Sequence, residues 1–401
     1  MPKKTIATTD VSGKRVLVRV DFNVPLEDGR ITDDRRIRAA VPTIKSIIDR
    51  GGSAVLMSHL GRPEGNGFEA SESLRPCAEH LSTLLGKPVE FPSHDPVDDK
   101  AAAAVQALRP GSVLLLDNLR FHKGEKKGDG AFAAKLAEYG DIYCNDAFGT
   151  CHREDASMYA VPAAMAGKPR VVGLLVEKEL KYLGEALATP AKPYVVVMGG
   201  AKVSDKLPMI DAVLKKADAV LIGGAMAYTF LHALGKPVGE SRVETEMLGQ
   251  AKKILDEAAR LKCDLLLPTD HVCSTQFAER SGDIQTFTDA IKPGYMGLDI
   301  GPKTQTIYAL RIRKAKTIVW NGPMGVFEWM PFRIGTQQVA SAMAHATKQG
   351  ATTIVGGGDS AAAAEAFDMN DAFSHISTGG GASLEMLAGR PFKTIELLDN
   401  A

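Results

Sequence analysis

Short apolar runs recur along the chain and alternate with stretches whose apolar residues lie three or four positions apart. The runs predict nine buried strands: Val16–Val20, Ala54–Ser58, Val113–Leu116, Asp141–Cys144, Tyr194–Met198, Ala219–Ile222, Asp264–Pro268, Thr317–Trp320 and Thr352–Val355. The wider spacing predicts helices, among them Ile37–Arg50, Phe132–Tyr139 and Glu246–Leu261. Continuous apolar strands between helices are typical of α/β folds with parallel sheets covered on both faces. Because nine strands exceed what one compact sheet usually holds, we expect two doubly wound, Rossmann-like domains.

The boundary between these domains is expected within residues 173–193. The segment EKELKYLGEALATPAKP is charged and helical at first, then ends in Thr-Pro and Lys-Pro. This pattern predicts a helix followed by a stiff linker. We therefore expect an N-terminal domain over residues 1–173, a hinge helix and linker over 174–192, and a C-terminal domain over 193–382. The pattern alone leaves open which domain the last residues pack on.

Composition narrows the classes of partner. The 401 residues are 45% apolar and carry a formal net charge of zero, so no general attraction to nucleic acid or to a membrane is implied. Five cysteines without a CxxC pair are typical of reduced thiols in a cytosol. The start, MPKKTIATTD, lacks the apolar segment of a signal peptide, and no apolar run reaches 18 residues. We expect a cytoplasmic protein that binds neither nucleic acid nor membranes.

Glycine clusters follow the strands of the second half. They are MGGAK (198–202), IGGAMA (222–227), WNGPMGVFE (320–328), VGGGDS (355–360) and STGGGAS (377–383). Ligands of open α/β sheets bind beyond the carboxyl ends of the strands, and glycine at a helix start lets a phosphate approach the backbone N–H groups. Five such turns predict a nucleotide site. Asp359 could hold a divalent cation shared with a phosphate, although a tight turn with an Asp or Ser cap is the alternative.

Two further features bear on this site. Lys202 and Lys206 lie four apart, so on a helix they would share a face suited to a phosphoryl group; two surface lysines are the alternative. No GxxxxGK[ST] occurs. Residues 356–361 do match G-x-G-x-x-A, which leaves an NAD-dependent dehydrogenase as a competing hypothesis.

The first half carries arginines and histidines at or just after the ends of predicted strands. The segments are RVDFNVP (19–25), DDRRIR (33–38), SHLGRP (58–63), LDNLRFHKGE (116–125) and NDAFGTCHRED (145–155). Arginine matches phosphate and carboxylate groups bidentately, so these side chains predict a pocket for a small, multiply charged anion. Asp21 and Asn23 could hydrogen-bond a hydroxyl of this ligand. A small anion in one domain and a nucleotide in the other suggest phosphoryl transfer after hinge closure, which would exclude water.

Eight motifs in order give the chain a specific resemblance. RVDFNVP, SHLGRP, NLRF, NDAFGT-x-HR, GGAKVSDK, NGPMGVFE, VGGGDS and STGGGAS run from residue 19 to residue 383 and resemble those of phosphoglycerate kinases. The resemblance implies reversible transfer of the acyl phosphate of 1,3-bisphosphoglycerate to ADP, giving 3-phosphoglycerate and ATP, with Mg²⁺. It also implies a monomer of two Rossmann-like domains. The N-terminal domain would hold the glycerate, and the tail, residues 383–401, would return to it.

The resemblance also implies residue roles. Glycerate contacts would come from Asp21, Asn23, Arg36, His59, Arg62, Arg120 and Arg153. The family pattern Arg-Ile selects Arg36 as the catalytic arginine, rather than its neighbours Arg35 and Arg38. Lys202, Gly358 and Gly381 would face the moving phosphoryl group. Nucleotide contacts would come from Gly200, Ala201, Lys202, Lys206, Gly223, Gly224, Gly297, Asn321, Pro323, Glu328, Gly356, Gly357, Gly358, Asp359 and Ser360, with Mg²⁺ on Asp359.

Two positions depart from the family pattern. Ala225 stands where many members have a third glycine, and Lys303-Thr304 stands where members often have an acidic residue and serine. The first departure concerns the adenine edge, and the second receives no role.

Overall fold

The computed structural model describes residues 2–401, and the chain divides into two compact units. Unit 1 comprises Met1–Lys181 and Pro391–Ala401, and unit 2 comprises Tyr182–Arg390. Residues 383–390 therefore lie with unit 2, whereas the expected returning tail begins at residue 383. None of the helices among the described residues is both long and apolar enough for a membrane span.

Unit 1 contains a six-stranded sheet in the order β5-β6-β4-β1-β7-β8, with every pair parallel. Its strands, with the β2–β3 hairpin, are β1 Arg15–Val20, β2 Leu26–Glu27, β3 Arg30–Ile31, β4 Ser53–Met57, β5 Val89–Glu90, β6 Val113–Leu115, β7 Ile142–Asp146 and β8 Arg170–Val172. All five residues of β4 are buried, as continuous apolar strands between helical layers should be.

The helices of unit 1 bury one face each against this sheet. In α1, the buried positions Ile37, Ala40, Ile44 and Ile47 follow the three-and-four spacing of an amphipathic helix. The helices are α1 Arg35–Ile48, α2 Arg75–Leu85, α3 Asp99–Ala107, α4 Lys123–Lys127, α5 Gly130–Ala137, α6 Val161–Ala164 and α7 Leu174–Glu179. A π-helical turn, Ala156–Ala160, precedes α6, and another, Leu180–Glu185, follows α7 and crosses the boundary between the units.

Unit 2 has a second six-stranded parallel sheet, in the order β11-β10-β9-β15-β16-β17. The strands of the unit are β9 Tyr194–Met198, β10 Ala219–Ile222, β11 Asp264–Leu266, β12 Asp270–Ser274, β13 Ile284–Thr288, β14 Met296–Ile300, β15 Thr317–Asn321, β16 Thr352–Gly356 and β17 His375–Ile376. The two parallel sheets confirm the predicted fold class, and all nine predicted strands are present within a few residues.

Helices surround this second sheet. They are α8 Ala186–Ala188, α9 Leu207–Val213, α10 Met226–Ala233, α11 Leu248–Leu261, α12 Pro302–Lys314, α13 Ile334–Lys348, α14 Gly358–Ala366 and α15 Gly381–Leu387, while α16 Lys393–Glu396 belongs to unit 1. Strands β12, β13 and β14 form an antiparallel sheet that the sequence did not predict. Because β13 is mostly exposed, it lacks the apolar run that identifies the other strands.

The C-terminal residues pack on unit 1. Thr394 Oγ1 donates to the backbone oxygen of Cys151 at 2.5 Å, and the guanidinium of Arg170 lies 3.1 Å from Asp399. The N–H of Lys4 donates to the carbonyl of Asp399 at 2.9 Å. The tail thus ties the first and last residues of unit 1 together. All five cysteines are free and buried.

Candidate active site

The loop after β1 and the first turn of α1 bring three predicted residues together. Arg36 Nη1 donates to the backbone oxygen of Asn23 at 2.8 Å and lies 3.3 Å from Asp21 Oδ1. Asn23 Oδ1 accepts from the N–H of Gly61 at 2.9 Å, which joins this loop to the loop after β4. Asp21, Asn23 and Arg36 therefore form one connected cluster.

The three arginines of DDRRIR form different ion pairs, and these distinguish Arg36 from its neighbours. Arg35 lies 2.5 Å from Asp33 and Arg38 lies 2.8 Å from Asp34, whereas Arg36 reaches Asp21. Of these three arginines, Arg36 is the one held at the carboxyl end of β1.

His59 marks the centre of a cationic pocket. Its side chain is buried, and its Nδ1 lies 3.1 Å from Nη2 of Arg19. Burial lowers the pKa of His59 well below its usual value, and the positive charges of four arginines lower it further: Arg19, Arg120, Arg153 and Arg36. The loops after β1, β4, β6 and β7 therefore come close together, and burial with these charges favours the neutral form of His59.

The remaining predicted residues of unit 1 differ in exposure. Arg120 is buried on a 3₁₀ turn, Leu119–Phe121, and its Nη1 donates to the carbonyl of Gly61 at 2.8 Å. Arg62 and Arg153 are exposed, and Arg153 Nε lies 3.3 Å from His152 Nε2. Arg62 follows β4 on the same loop as His59.

A buried polar chain behind this pocket was missed from the sequence. Arg19 Nε donates to Ser157 Oγ at 2.8 Å, and Ser157 Oγ donates to Glu125 Oε1 at 2.5 Å. All three side chains are fully buried. Arg19 occupies a strand position that reads as ordinary alternation in RVDFN, so only its charge within a buried strand could have signalled this role.

Unit 2 contains a cavity of about 510 Å³ beyond the carboxyl ends of its strands. Seven of the predicted nucleotide residues line it: Gly200, Ala201, Gly224, Gly297, Pro323, Glu328 and Asp359. Further lining residues, which were not candidates, are Glu240, Arg242, Phe277, Met296, Leu298, Gly325 and Val326. Ala225, the departure at the adenine edge, also lines the cavity. Glycine walls, an apolar side and a few charged groups are the features of a nucleotide pocket.

Lys206 is held beside the glycine turns. Its Nζ donates to Asn321 Oδ1, and Asn321 Nδ2 donates to the carbonyl of Gly356 at 2.8 Å. Burial lowers the pKa of Lys206, while the carboxylates of Asp359 and Asp205 oppose that shift. Asn321 thus links Lys206 to the end of β16 at Gly356, where the charge of Asp359 acts on it.

The expectation that Lys202 and Lys206 share a helix face is wrong. Helix α9 begins at Leu207, so Lys202 lies in the preceding loop and is exposed. Glu244 holds that loop, because it accepts from the N–H of Val203 at 2.5 Å and from Ser204 Oγ at 2.6 Å. Hydrogen bonds from Ser204 and Val203, with the charge of Lys202, lower the pKa of Glu244 although burial opposes them. The sequence alone gave no reason to select Glu244.

The loop GGGDS forms the predicted strand-to-helix turn. Gly357 has φ +90°, a region that other residues rarely adopt, and it precedes the first residue of α14, Gly358. Asp359 is exposed in the first turn of α14, and Ser360 Oγ accepts from the N–H of Gly322 at 2.6 Å. Asp359 is therefore available to a ligand, whereas Ser360 joins two loops of the fold.

Two glycines of IGGAMA have different surroundings. A Cβ on Gly223 would lie 2.4 Å from Met324 Sδ, so this buried residue permits close packing and does not line the cavity. Gly224 has φ +67°, and a Cβ there would lie 2.5 Å from the N atom of Gly200. Gly381 is the first residue of α15.

The unassigned Lys303-Thr304 segment begins α12. Asp270 accepts from the N–H groups of Lys303 and Thr304 at 2.9 and 2.8 Å, and from Thr304 Oγ1 at 2.6 Å. Thr304 thus takes part in capping the helix.

The side chains available as metal ligands suit a metal ion that binds together with the nucleotide better than one that the protein holds by itself. Among residues 2–401, no group of three or more His, Cys, Asp or Glu side chains could hold a metal ion. Mg²⁺ is usually bound by one or two carboxylates together with substrate phosphates. Asp359, an exposed carboxylate whose charge acts on Lys206, fits that pattern.

The chain is similar to known proteins over nearly its whole length. The sequence profile of the family described as "Phosphoglycerate kinase" matches residues 6–390. This chain belongs to the phosphoglycerate kinase family. The phosphoglycerate kinase of Rhodopirellula baltica is 54% identical over 404 residues, with all of both chains covered. That of Chloroherpeton thalassium is 49% identical, again over the full length of both.

Solved structures of phosphoglycerate kinases share the fold. The enzyme of Coxiella burnetii has a TM-score of 0.89 at 39% identity, covering 99% of this chain and 98% of its own. The enzyme of Pyrococcus horikoshii has a TM-score of 0.84 at 32% identity, with 98% of each chain covered. The family membership identifies a glycolytic phosphotransferase, and the comparisons give no support to the NAD-dependent dehydrogenase alternative.

Proposed function

We propose that unit 1 binds 3-phosphoglycerate or 1,3-bisphosphoglycerate and that unit 2 binds ATP or ADP with Mg²⁺. The observation that carries the proposal is the cationic pocket of unit 1, where the charges of four arginines act on the buried His59 and the loops are joined by Arg19, Asn23 and Arg120. Such a pocket suits a ligand with both a phosphate and a carboxylate. Glycerate contacts are assigned to Asp21, Asn23, Arg36, His59, Arg62, Arg120 and Arg153.

In unit 2 the nucleotide is assigned to the glycine-walled cavity. We assign Glu328, which lines the cavity, to accept hydrogen bonds from the hydroxyl groups of the ribose, and Lys206 to contact the phosphates. The remaining contacts are assigned to Gly200, Ala201, Lys202, Gly224, Gly297, Asn321, Pro323, Gly356, Gly357, Gly358 and Ser360, while Gly223 supports the neighbouring Gly224 through its close packing on Met324. The family relation supports a metal–nucleotide substrate, and Asp359 would hold Mg²⁺, which neutralises the nucleotide phosphates when bound.

Catalysis requires positioning and positive charge rather than covalent help, because charge spreads over three oxygens of the moving phosphoryl group. Arg36 contributes from unit 1. Lys202 and the N–H groups of Gly358 and Gly381 contribute from unit 2. The acceptor is a carboxylate, which is already ionised near pH 7, so no general base is needed. Because each unit carries one half of this set, we propose in-line transfer after a hinge closure.

The domain extents form part of the same proposal: a glycerate domain over residues 1–173, a hinge segment over 174–192 and a nucleotide domain over 193–382, with a returning tail. We also propose that the protein is a monomer and that it is located in the cytoplasm.

A coupled assay tests the activity. Formation of the acyl phosphate from 3-phosphoglycerate and Mg·ATP is followed through glyceraldehyde-phosphate dehydrogenase and NADH, with controls that omit each substrate, the metal or the coupling enzyme. We expect NADH oxidation only when every component is present. Oxidation without the coupling enzyme would contradict the proposal, as would no activity from correctly folded protein.

A further inference from the structure

Asp155 is a buried carboxylate that lies against the arginines of unit 1. Asp155 directly precedes the π-helical turn Ala156–Ala160 and is 8% exposed. Its Oδ2 lies 3.7 Å from Nη2 of Arg120, whose side chain is 7% exposed. A negative charge therefore faces one of the arginines assigned to the anionic ligand.

The contact between these two groups is an ion pair without a hydrogen bond. A separation of 3.7 Å is too long for a hydrogen bond but gives substantial Coulomb attraction in a buried setting. Within residues 2–401, Arg120 Nε and Asp155 Oδ2 are buried atoms that have no hydrogen-bond partner. Asp155 thus acts on Arg120 through its charge and does not take up a hydrogen-bond donor of the guanidinium.

The charges around Arg120 oppose each other. Burial lowers the pKa of Arg120, and the neighbouring Arg153 and Arg19 lower it further, whereas Asp155 and the buried Glu125 raise it. Asp155 is thus the carboxylate nearest to Arg120 among those that offset the repulsion between arginines. The same charge must repel any anion that Arg120 binds.

We propose that Asp155 sets the affinity of the glycerate pocket, by balancing Arg120 in the free enzyme and repelling the anionic substrate in the bound one. This inference rests on the proposed assignment of glycerate to unit 1. Its consequence is weaker ground-state binding and faster release of the substrate, which suits an enzyme whose ligand must leave after each transfer in either direction.

Asp155→Asn removes the charge and keeps the size of the side chain. For unit charges about 8 Å apart at an effective dielectric of about 20 to 40, the lost repulsion corresponds to an affinity gain of about 5- to 30-fold. We expect KM for 3-phosphoglycerate to fall by this factor while KM for Mg·ATP stays unchanged. Calorimetric titration with 3-phosphoglycerate, and separately with inorganic phosphate, should give tighter binding in the variant.

Glu154→Gln is the matched control, because it makes the same charge change at the adjacent position. Glu154 is exposed and pairs on the surface with Lys393 at 2.8 Å. Screening by solvent should limit its effect on either ligand to less than about twofold. Thermal unfolding of each variant establishes that it is folded, and Asp155→Ser serves as a second variant if Asp155→Asn does not fold.

An unchanged or raised KM for 3-phosphoglycerate in a folded Asp155 variant, with no gain in phosphate affinity, would overturn the inference and leave Asp155 as a structural partner of Arg120. An equal gain in Glu154→Gln would overturn it as well, because the effect would then come from net charge alone. If wild-type protein neither binds nor converts 3-phosphoglycerate, the proposed function fails instead. The phosphate titrations would still decide whether Asp155 weakens anion binding.

Discussion

Removal of the Arg36 side chain tests the proposed chemistry most sharply, because its neighbours supply internal controls. In Arg36→Ala, the guanidinium that contacts Asp21 and the backbone of Asn23 is lost. The backbone of α1 should persist, since alanine is the best helix former. The substitution therefore deletes a charge at the end of β1 with little change in local structure.

The expected magnitudes separate catalysis from stability. The Arg36 side chain is 35% exposed, and a solvent-screened ion pair of this kind contributes about 0–1 kcal/mol to folding. Loss of a cation that stabilises the moving phosphoryl group lowers kcat by about 10²- to 10⁴-fold, which is about 3–5 kcal/mol. The kinetic effect should thus exceed the effect on the free energy of unfolding several-fold.

The assay is kcat in the coupled reaction, with unfolding in denaturant measured in parallel. Arg38→Ala is the control, because Arg38 belongs to the same helix and pairs with Asp34 with 62% of its side chain exposed. We expect Arg38→Ala to keep kcat within about twofold. A near-wild-type kcat for Arg36→Ala, or an equal loss in Arg38→Ala, would refute the assignment.

Three further predictions concern the metal, a backbone position and pH. Asp359→Asn should raise the Mg²⁺ concentration needed for half-maximal activity about tenfold or more while the fold persists. An unchanged Mg²⁺ titration would contradict a metal-binding role and leave Asp359 only a structural role at the start of α14. Gly224→Ala should abolish measurable ADP binding or destabilise unit 2 by about 1–3 kcal/mol, because it places a Cβ 2.5 Å from the Gly200 N atom at φ +67°. Calorimetry would measure the affinity for ADP, and denaturation would measure the free energy of unfolding. Wild-type values of both quantities would contradict the prediction. Burial lowers the pKa of His271 to about 4, and the unfolded chain takes up that proton near pH 6.5. Stability should therefore fall by up to about 1.4 kcal/mol per pH unit as pH drops from 6.5 to 4, and His271→Phe should flatten that slope, so equal slopes in the two proteins would contradict the reasoning.

The architecture was accessible from the sequence because parallel strands buried on both faces are continuous apolar runs. Val16–Val20 and Tyr194–Met198 are examples, and both occur as strands close to their predicted bounds. The antiparallel strands β12–β14 were not predicted, because exposed β13 and the polar ends of β12, Asp270 and Ser274, interrupt such runs. The helix expected to carry Lys202 is a loop, since hydrogen bonds to Glu244 replace the backbone bonds of a helical turn there.

The types of candidate ligand-binding side chain were predictable from the sequence, but the buried residues that hold those side chains in place were not. Arginines after strand ends predicted a site for an anion, and Arg36, the arginine that the register selects, lies 3.3 Å from Asp21. Arg19, Ser157 and Glu125 lie far apart in the sequence and meet only through the fold. Asp155 belongs to the segment NDAFGTCHRED, but its proximity to Arg120 depends on how the loops after β6 and β7 meet.

The central claim is a division of labour between the two units, and paired calorimetric titrations test it most directly. Wild type, Arg62→Ala and Glu328→Gln would each be titrated with 3-phosphoglycerate and with Mg·ADP. The account predicts that Arg62→Ala loses about tenfold or more in affinity for 3-phosphoglycerate and binds Mg·ADP normally, while Glu328→Gln shows the reverse. Weakened binding of the same ligand in both variants, or of the opposite ligand in either, would contradict it.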